Sequence, residues 1–170
     1  MAEQDRGASR RILVGNDAKG SALIGASLWP MLALAGIALL AVGLSDLALA
    51  WYPPLFGNRE WEFGTVTATL NGLPVVLMGA VFAYLGAANR GMVRTTRLIG
   101  VVSLLGALCI VAMAGLYLTN VPLALQSVEG PILLGVKKAI AKSLVQSVVY
   151  PITFGVLGVR ALRHFRSATG

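Results

Sequence analysis

The feature that most limits this chain is the spacing of its charges. A charged side chain at the centre of a bilayer costs about 2.5 to 3.5 kcal/mol on insertion scales, so long stretches without one mark segments that lipid accepts. Between Lys19 and Asp46 lie 26 uncharged residues, between Glu62 and Arg90 lie 27, between Arg97 and Glu129 lie 31, and between Lys142 and Arg160 lie 17. A helix needs about 20 apolar residues to cross roughly 30 Å of hydrocarbon. Three runs meet that length. The fourth reaches it because Lys142 and Arg160 can extend their stems and hold their charges at the two interfaces. The expectation is an all-α integral membrane protein with four transmembrane helices, spanning about Leu23 to Ala50, Leu73 to Ala88, Leu98 to Leu118 and Leu144 to Leu162.

Composition supports this and narrows the function. Of 170 residues, 56% are hydrophobic and 12% charged, against about a quarter charged in a soluble domain. Residues 21–166 are therefore assigned to one membrane domain, which leaves no room for a separate soluble catalytic domain or an extended nucleic-acid surface. The first 20 residues have no sustained apolar run and are expected to form a flexible basic cytoplasmic tail. The apolar run of helix one far exceeds the roughly 7 to 15 residues of a signal-peptide core. It is read as a retained helix, although Ala48-Leu49-Ala50 resembles a cleavage site.

The net charge of +7 reports orientation. Arg6, Arg10, Arg11 and Lys19 precede helix one, Arg90, Arg94 and Arg97 fill the turn between helices two and three, and Arg160, Arg163 and Arg166 close the chain. Four spans put all of these on one side. The other side carries Arg59, Lys137, Lys138 and Lys142, offset by Asp46, Glu60, Glu62 and Glu129. The positive-inside bias places both termini in the cytoplasm, and the expected location is a bacterial-type inner membrane. Three spans would send the terminal arginines outward.

Two outer segments are more than connections. Pro53 and Pro54 end helix one, and Trp51, Tyr52, Phe56, Trp61 and Phe63 form an aromatic group suited to a membrane interface. In residues 60–72, Phe63, Val66, Leu70 and Leu73 recur at three- and four-residue steps, which suggests a short interfacial helix, with Pro74 opening helix two. Glu129-Gly130-Pro131 reads as the start of helix four. That helix would be over-long, its first turns (131–143) projecting outward with Lys137, Lys138 and Lys142, and it should kink at Pro151. Gly79, Ala83 and Ala87 on helix two, and Gly36 and Gly43 on helix one, form small-residue rows suited to close helix packing.

Chemistry is sparse. The single histidine, His164, sits among arginines at the cytoplasmic end of helix four. The single cysteine, Cys109, lies in the middle of helix three. Neither a catalytic constellation, a metal-ligand pattern nor a cofactor motif is present, so no catalytic, metal or cofactor residue is assigned. Asp46 is the most informative ionisable residue, because it falls within the first apolar segment; an intramembrane ion pair with Lys142, at comparable depth on helix four, is expected. Glu60, Glu62 and Glu129 are a weaker candidate set around a divalent cation.

The run Tyr52-Pro53-Pro54, Phe56, Asn58, Trp61-Glu62-Phe63, with Leu73-Pro74-Val75 and Gly79, resembles the opening of the HpsJ-like small membrane proteins. These are associated in cyanobacteria with hormogonium polysaccharide secretion and with exosortase systems. Lys137-Lys138, Lys142-Ser143-Leu144 and Gln146 are similar to the segment after that family's outer loop, and the match is strongest from Pro53 through Gly86. The resemblance implies a four-helix accessory membrane protein without assigned catalytic residues. Members often have a longer, polar region between helices three and four, where this chain has only 12 residues between Leu118 and Pro131.

These features together suggest a non-enzymatic scaffold or accessory subunit of a larger inner-membrane assembly. Its partners would be the lipid bilayer and other membrane subunits, with no nucleic acid. The outer docking surface would comprise Trp51, Tyr52, Phe56, Trp61, Phe63, Lys137 and Lys138. Alternatives are a small ion-coupled transporter using Asp46 and Lys142, and a protein that handles lipid or polyisoprenoid through its aromatic loop and lysines.

Overall fold

A computed structural model describes residues 28–126 and 129–169. The proposed tail, residues 1–20, and the expected beginning of helix one at Leu23 lie outside the described residues. Among the described residues all regular structure is helical: α1 (Leu28–Ala50), α2 (Arg59–Asn89), α3 (Val93–Gln126) and α4 (Pro131–Thr169). All four are long and apolar enough to cross a membrane, so the chain is an all-α, multi-pass membrane protein. Successive helices are antiparallel across short connections. One end of the bundle carries the aromatic α1–α2 connection and the start of α4; the other carries Arg90, Arg94 and Arg97.

Helix lengths depart from the charge-based boundaries. Helices α2, α3 and α4 contain 31, 34 and 39 residues, roughly 46, 51 and 58 Å at the α-helical rise. Over-length is thus shared by three helices and is not peculiar to α4. The expected interfacial helix at 60–72 is not separate either, since it is the first part of α2, which continues through Pro74. The cause is the buried stripe Thr65, Val66, Thr69, Leu70, Leu73, Val76 and Ala80, which passes Pro74 without interruption. Pro74 itself is exposed, off that stripe, where a missing backbone donor costs one hydrogen bond and leaves the packing intact. Helix α3 likewise outruns Leu118, because Thr119, Asn120 and Gln126 are uncharged and compatible with helix, and it contains Pro122. Helix α4 begins at Pro131, as the sequence indicates, and runs through Pro151 as one element.

The α2–α3 turn has a simple chemistry. Gly91 adopts φ +65°, its N–H donates to the Ala88 carbonyl (3.1 Å), and the Met92 N–H donates to the Ala87 carbonyl (3.0 Å). A left-handed glycine with these two bonds satisfies carbonyls that the end of α2 would otherwise leave open.

Hydrophobic burial gives little drive between helices already in lipid, so close packing must supply it. Helix α1 meets α2 through small residues: a side chain at Gly79 would come within 2.8 Å of the Leu40 nitrogen and 2.9 Å of the Gly36 carbonyl oxygen, and one at Gly86 would run into Ala33. Gly43 lies against Val76, and Ala83 and Ala87 are buried. Helix α3 meets α4 in the same manner, with Gly100 against Ala161 and Leu162, and Gly158 against Leu104 and the Gly100 carbonyl. Between these pairs lies a core of Val66, Leu70, Leu73 and Val76 from α2, Ile110 and Tyr117 from α3, and Ile140 and Phe154 from α4.

Gly79→Leu should therefore lower the unfolding free energy by about 1 to 3 kcal/mol, the usual range for overpacking. Gly155→Leu, at a position with nothing within 4 Å, should leave it nearly unchanged. Reversible denaturation in mixed micelles measures both, and equal losses would contradict the assigned α1–α2 crossing.

Candidate functional site

The most elaborately bonded part of the molecule is its aromatic end. Asn58 caps α2: its side-chain oxygen accepts from the Trp61 N–H at 3.1 Å, one of the donors that a helix start leaves open. Glu62 points back, and its Oε1 accepts from the Gly57 N–H at 3.0 Å. Gly57 has φ +89°, in the left-handed region that glycine enters without strain. The other carboxylate oxygen of Glu62 accepts from Asn120 Nδ2 at 3.3 Å. One carboxylate thus joins the α1–α2 connection to α3, and a charged acceptor makes such bonds stronger than neutral ones.

Three rings close over this connection. Trp51 and Trp61 meet edge to face at 5.8 Å, Phe56 and Trp61 at 5.5 Å in a similar arrangement, and Trp51 and Phe56 at 6.3 Å. Edge-to-face geometry suits the ring quadrupoles. Trp51 also donates from Nε1 to Thr69 Oγ1 at 3.0 Å, and Thr65 Oγ1 donates to the Ala50 carbonyl at 3.4 Å. The end of α1 is therefore tied to α2 as well. The cluster is held in shape while much of it stays uncovered, with Tyr52 77% and Phe56 74% exposed.

Beside it, between the projecting ends of α2, α3 and α4, lies a cavity of about 480 Å³ lined by Arg59, Glu60, Phe63, Asn120, Leu123 and Val136. Its entrance bears opposite charges and its walls are largely apolar. Asn120 is 8% exposed. Deeper in, Phe63 stacks on Tyr117 at 5.0 Å and 15°. The Tyr117 hydroxyl and Gln146 Oε1 are buried without a hydrogen-bond partner among the described residues, while Gln146 Nε2 donates to the Tyr150 hydroxyl at 3.2 Å.

The structure gathers only part of the set anticipated from sequence. Trp51, Phe56 and Trp61 come together, and Tyr52 stands exposed beside them. Phe63 does not belong with them: it turns inward onto Tyr117, because it lies on the same face of α2 as Val66 and Leu70. Lys137 and Lys138 lie on the first turns of α4, beyond Val136 at the cavity wall, and both are exposed. The expected pair of Asp46 and Lys142 is not formed. Both are exposed, and among the described residues no ion pair joins them. The helix register separates them: Leu47, beside Asp46, lies against Gly72, whereas the facing of Gly100 with Gly158 and of Gly106 with Phe154 carries Lys142 out to the level of Leu118 on α3, near the Phe63–Tyr117 stack. Nor are Glu60, Glu62 and Glu129 gathered into a ligand set; among the described residues no three His, Cys, Asp or Glu side chains converge.

Sequence reasoning passed over Asn120 and Tyr117. Their signal was available, since a tyrosine and an asparagine three residues apart on an otherwise apolar helix share a face, and polar groups in spans usually turn toward the protein. No protein-family model, curated protein or solved structure matches the chain.

Glu62→Leu should cost about 1 to 3 kcal/mol, because it leaves the buried Asn120 donor without its partner. Adding Asn120→Leu should recover most of that loss, since removing both partners also removes the desolvation penalty. A double-mutant cycle by denaturation in micelles measures the recovery; strictly additive losses would show that the bond is not coupled.

Proposed function

We propose that the protein is a non-enzymatic scaffold or accessory subunit of a larger assembly in an inner, plasma-type membrane, with both termini cytoplasmic and its aromatic end as the docking surface. The observation that carries this reading is the combination of rigidity and exposure at that end. A helix cap, a carboxylate bridge and three interlocked rings hold the α1–α2 connection, yet Tyr52 and Phe56 project from it. Ordered aromatic side chains make good anchors because little conformational entropy is lost when a partner covers them. Lys137 and Lys138 flank the same end and would favour a partner with an acidic rim. The resemblance of Pro53 through Gly86 to HpsJ-like proteins directs the search toward machinery for surface-polysaccharide secretion.

The non-enzymatic part of the reading rests on residue types. His164 lies at the arginine end, a full helix length from the Glu60 and Glu62 carboxylates, so among the described residues the imidazole and these acids do not share a site.

A photoreactive residue at Phe56 or Tyr52, in protein expressed at native level in its own host, should crosslink to one discrete membrane protein. Lys137→Glu with Lys138→Glu should reduce that product severalfold. Adducts to lipid alone would mean that the rings only anchor the chain in the interface. Tags at the two termini should be protected together in sealed, outward-facing cells, and accessibility of either one would overturn the orientation.

A further inference from the structure

A second cavity, which shares Trp51 with the aromatic end, runs along the bundle away from the docking surface. It is a half-open groove of about 470 Å³ between α1, α2 and α3 with Phe154 of α4 at its floor, lined by every third or fourth residue of α1 from Leu40 to Trp51 and of α2 from Thr69 to Ala80, and by a broader face of α3 from Leu98 to Met113. Apart from the Trp51 to Thr69 hydrogen bond that closes its far end, and Ser103 and Cys109 in its wall, it is aliphatic and aromatic. The small-residue crossing explains why it exists. Gly36, Gly79 and Gly86 draw α1 onto α2, and the outer half of α1 stands away from α3.

We propose that this groove binds one acyl chain of an anionic phospholipid whose headgroup sits at the arginine end. Shape decides between occupants. Leu98 and Met113 are fifteen residues apart on α3, roughly 22 Å at the α-helical rise. At the ~30 Å³ share of a liquid water molecule per methylene, 470 Å³ holds roughly sixteen carbons, which is one extended chain. Charge decides the headgroup. Arg94 lies one turn before Leu98 on the same face of α3 and is exposed, as is Arg90 in the adjoining turn. A phosphate-bearing headgroup without a compensating cation complements them where the groove opens.

The test uses the full chain in mild detergent, with native mass spectrometry after titration with phosphatidylglycerol or phosphatidylcholine. Wild type should hold one phosphatidylglycerol and bind it more tightly than phosphatidylcholine. Arg94→Gln should narrow that preference about fivefold, the effect of one cation near an anionic headgroup. Gly106→Leu should weaken binding of both lipids about tenfold or more, because Gly106 lines the groove and a side chain there meets only Phe154, at 3.9 Å. Gly115→Leu, on α3 outside the groove with nothing within 4 Å, should change nothing. In unmutated protein, Cys109 is exposed in the groove wall, and its alkylation by a maleimide should slow severalfold when phosphatidylglycerol is added. Equal binding of the two lipids by wild type, equal losses in Gly106→Leu and Gly115→Leu, or unchanged Cys109 alkylation would each overturn the assignment; retention of a neutral isoprenoid in place of phospholipid would overturn the headgroup.

Discussion

Lipid offers no hydrogen bond to a peptide group, and the architecture is a response to that deficiency. Each described crossing is one helix, and even Pro74, Pro122 and Pro151 are carried inside helices without ending them. Hydroxyl side chains obey the same demand. Ser45, Thr67, Thr69, Ser147 and Thr153 each donate to the carbonyl four residues back at 2.7 to 2.8 Å. These hydroxyls are thus satisfied by their own helix, and as donors they contribute nothing to holding helices together.

Cohesion between helices is unevenly distributed. The hydrogen bonds of Trp51 with Thr69, of Thr65 with Ala50 and of Asn120 with Glu62 all lie at the aromatic end. Deeper in the membrane, close backbone approach takes over, at Gly36 with Gly79 and at Gly100 with Gly158. Glycine rows hold helices in pairs, and pairs leave seams. The groove between α1 and α3 is one such seam, and the cavity with a charged entrance beside the aromatic rings is another. The seam within the membrane is apolar, whereas the one beyond the hydrocarbon has Arg59, Glu60 and Asn120 around it. Each seam has the chemistry of its surroundings.

Much of this was legible in the residues. Gaps between charges mark four crossings, Gly130-Pro131 marks the start of α4, and the steps from Gly79 to Ala83 to Ala87 mark a packing face. The failures have a common origin. Charge spacing marks where ions fall but not how far a helix continues past them into the interface, so α3 extends two turns past Leu118 through uncharged polar residues, and α2 begins at Arg59, with Glu60 and Glu62 in its first turn, well before Leu73. Counting along the chain fixes neither the register of one helix on another nor position around the bundle. Asp46 and Lys142 therefore do not pair, while Phe63 leaves the aromatic group to stack on Tyr117, which is distant in sequence.

The sequence by itself determined that this chain is a membrane protein, how many helices cross, and which end carries the arginines, because transfer of charge and of apolar length into lipid is a property of each segment alone. Only the tertiary structure decided which helices touch, that Glu62 is shared between a loop and a distant helix, and that two seams stay open. Those outcomes depend on angular position about several helix axes and on backbone approach at a few glycines, and no single segment contains that information.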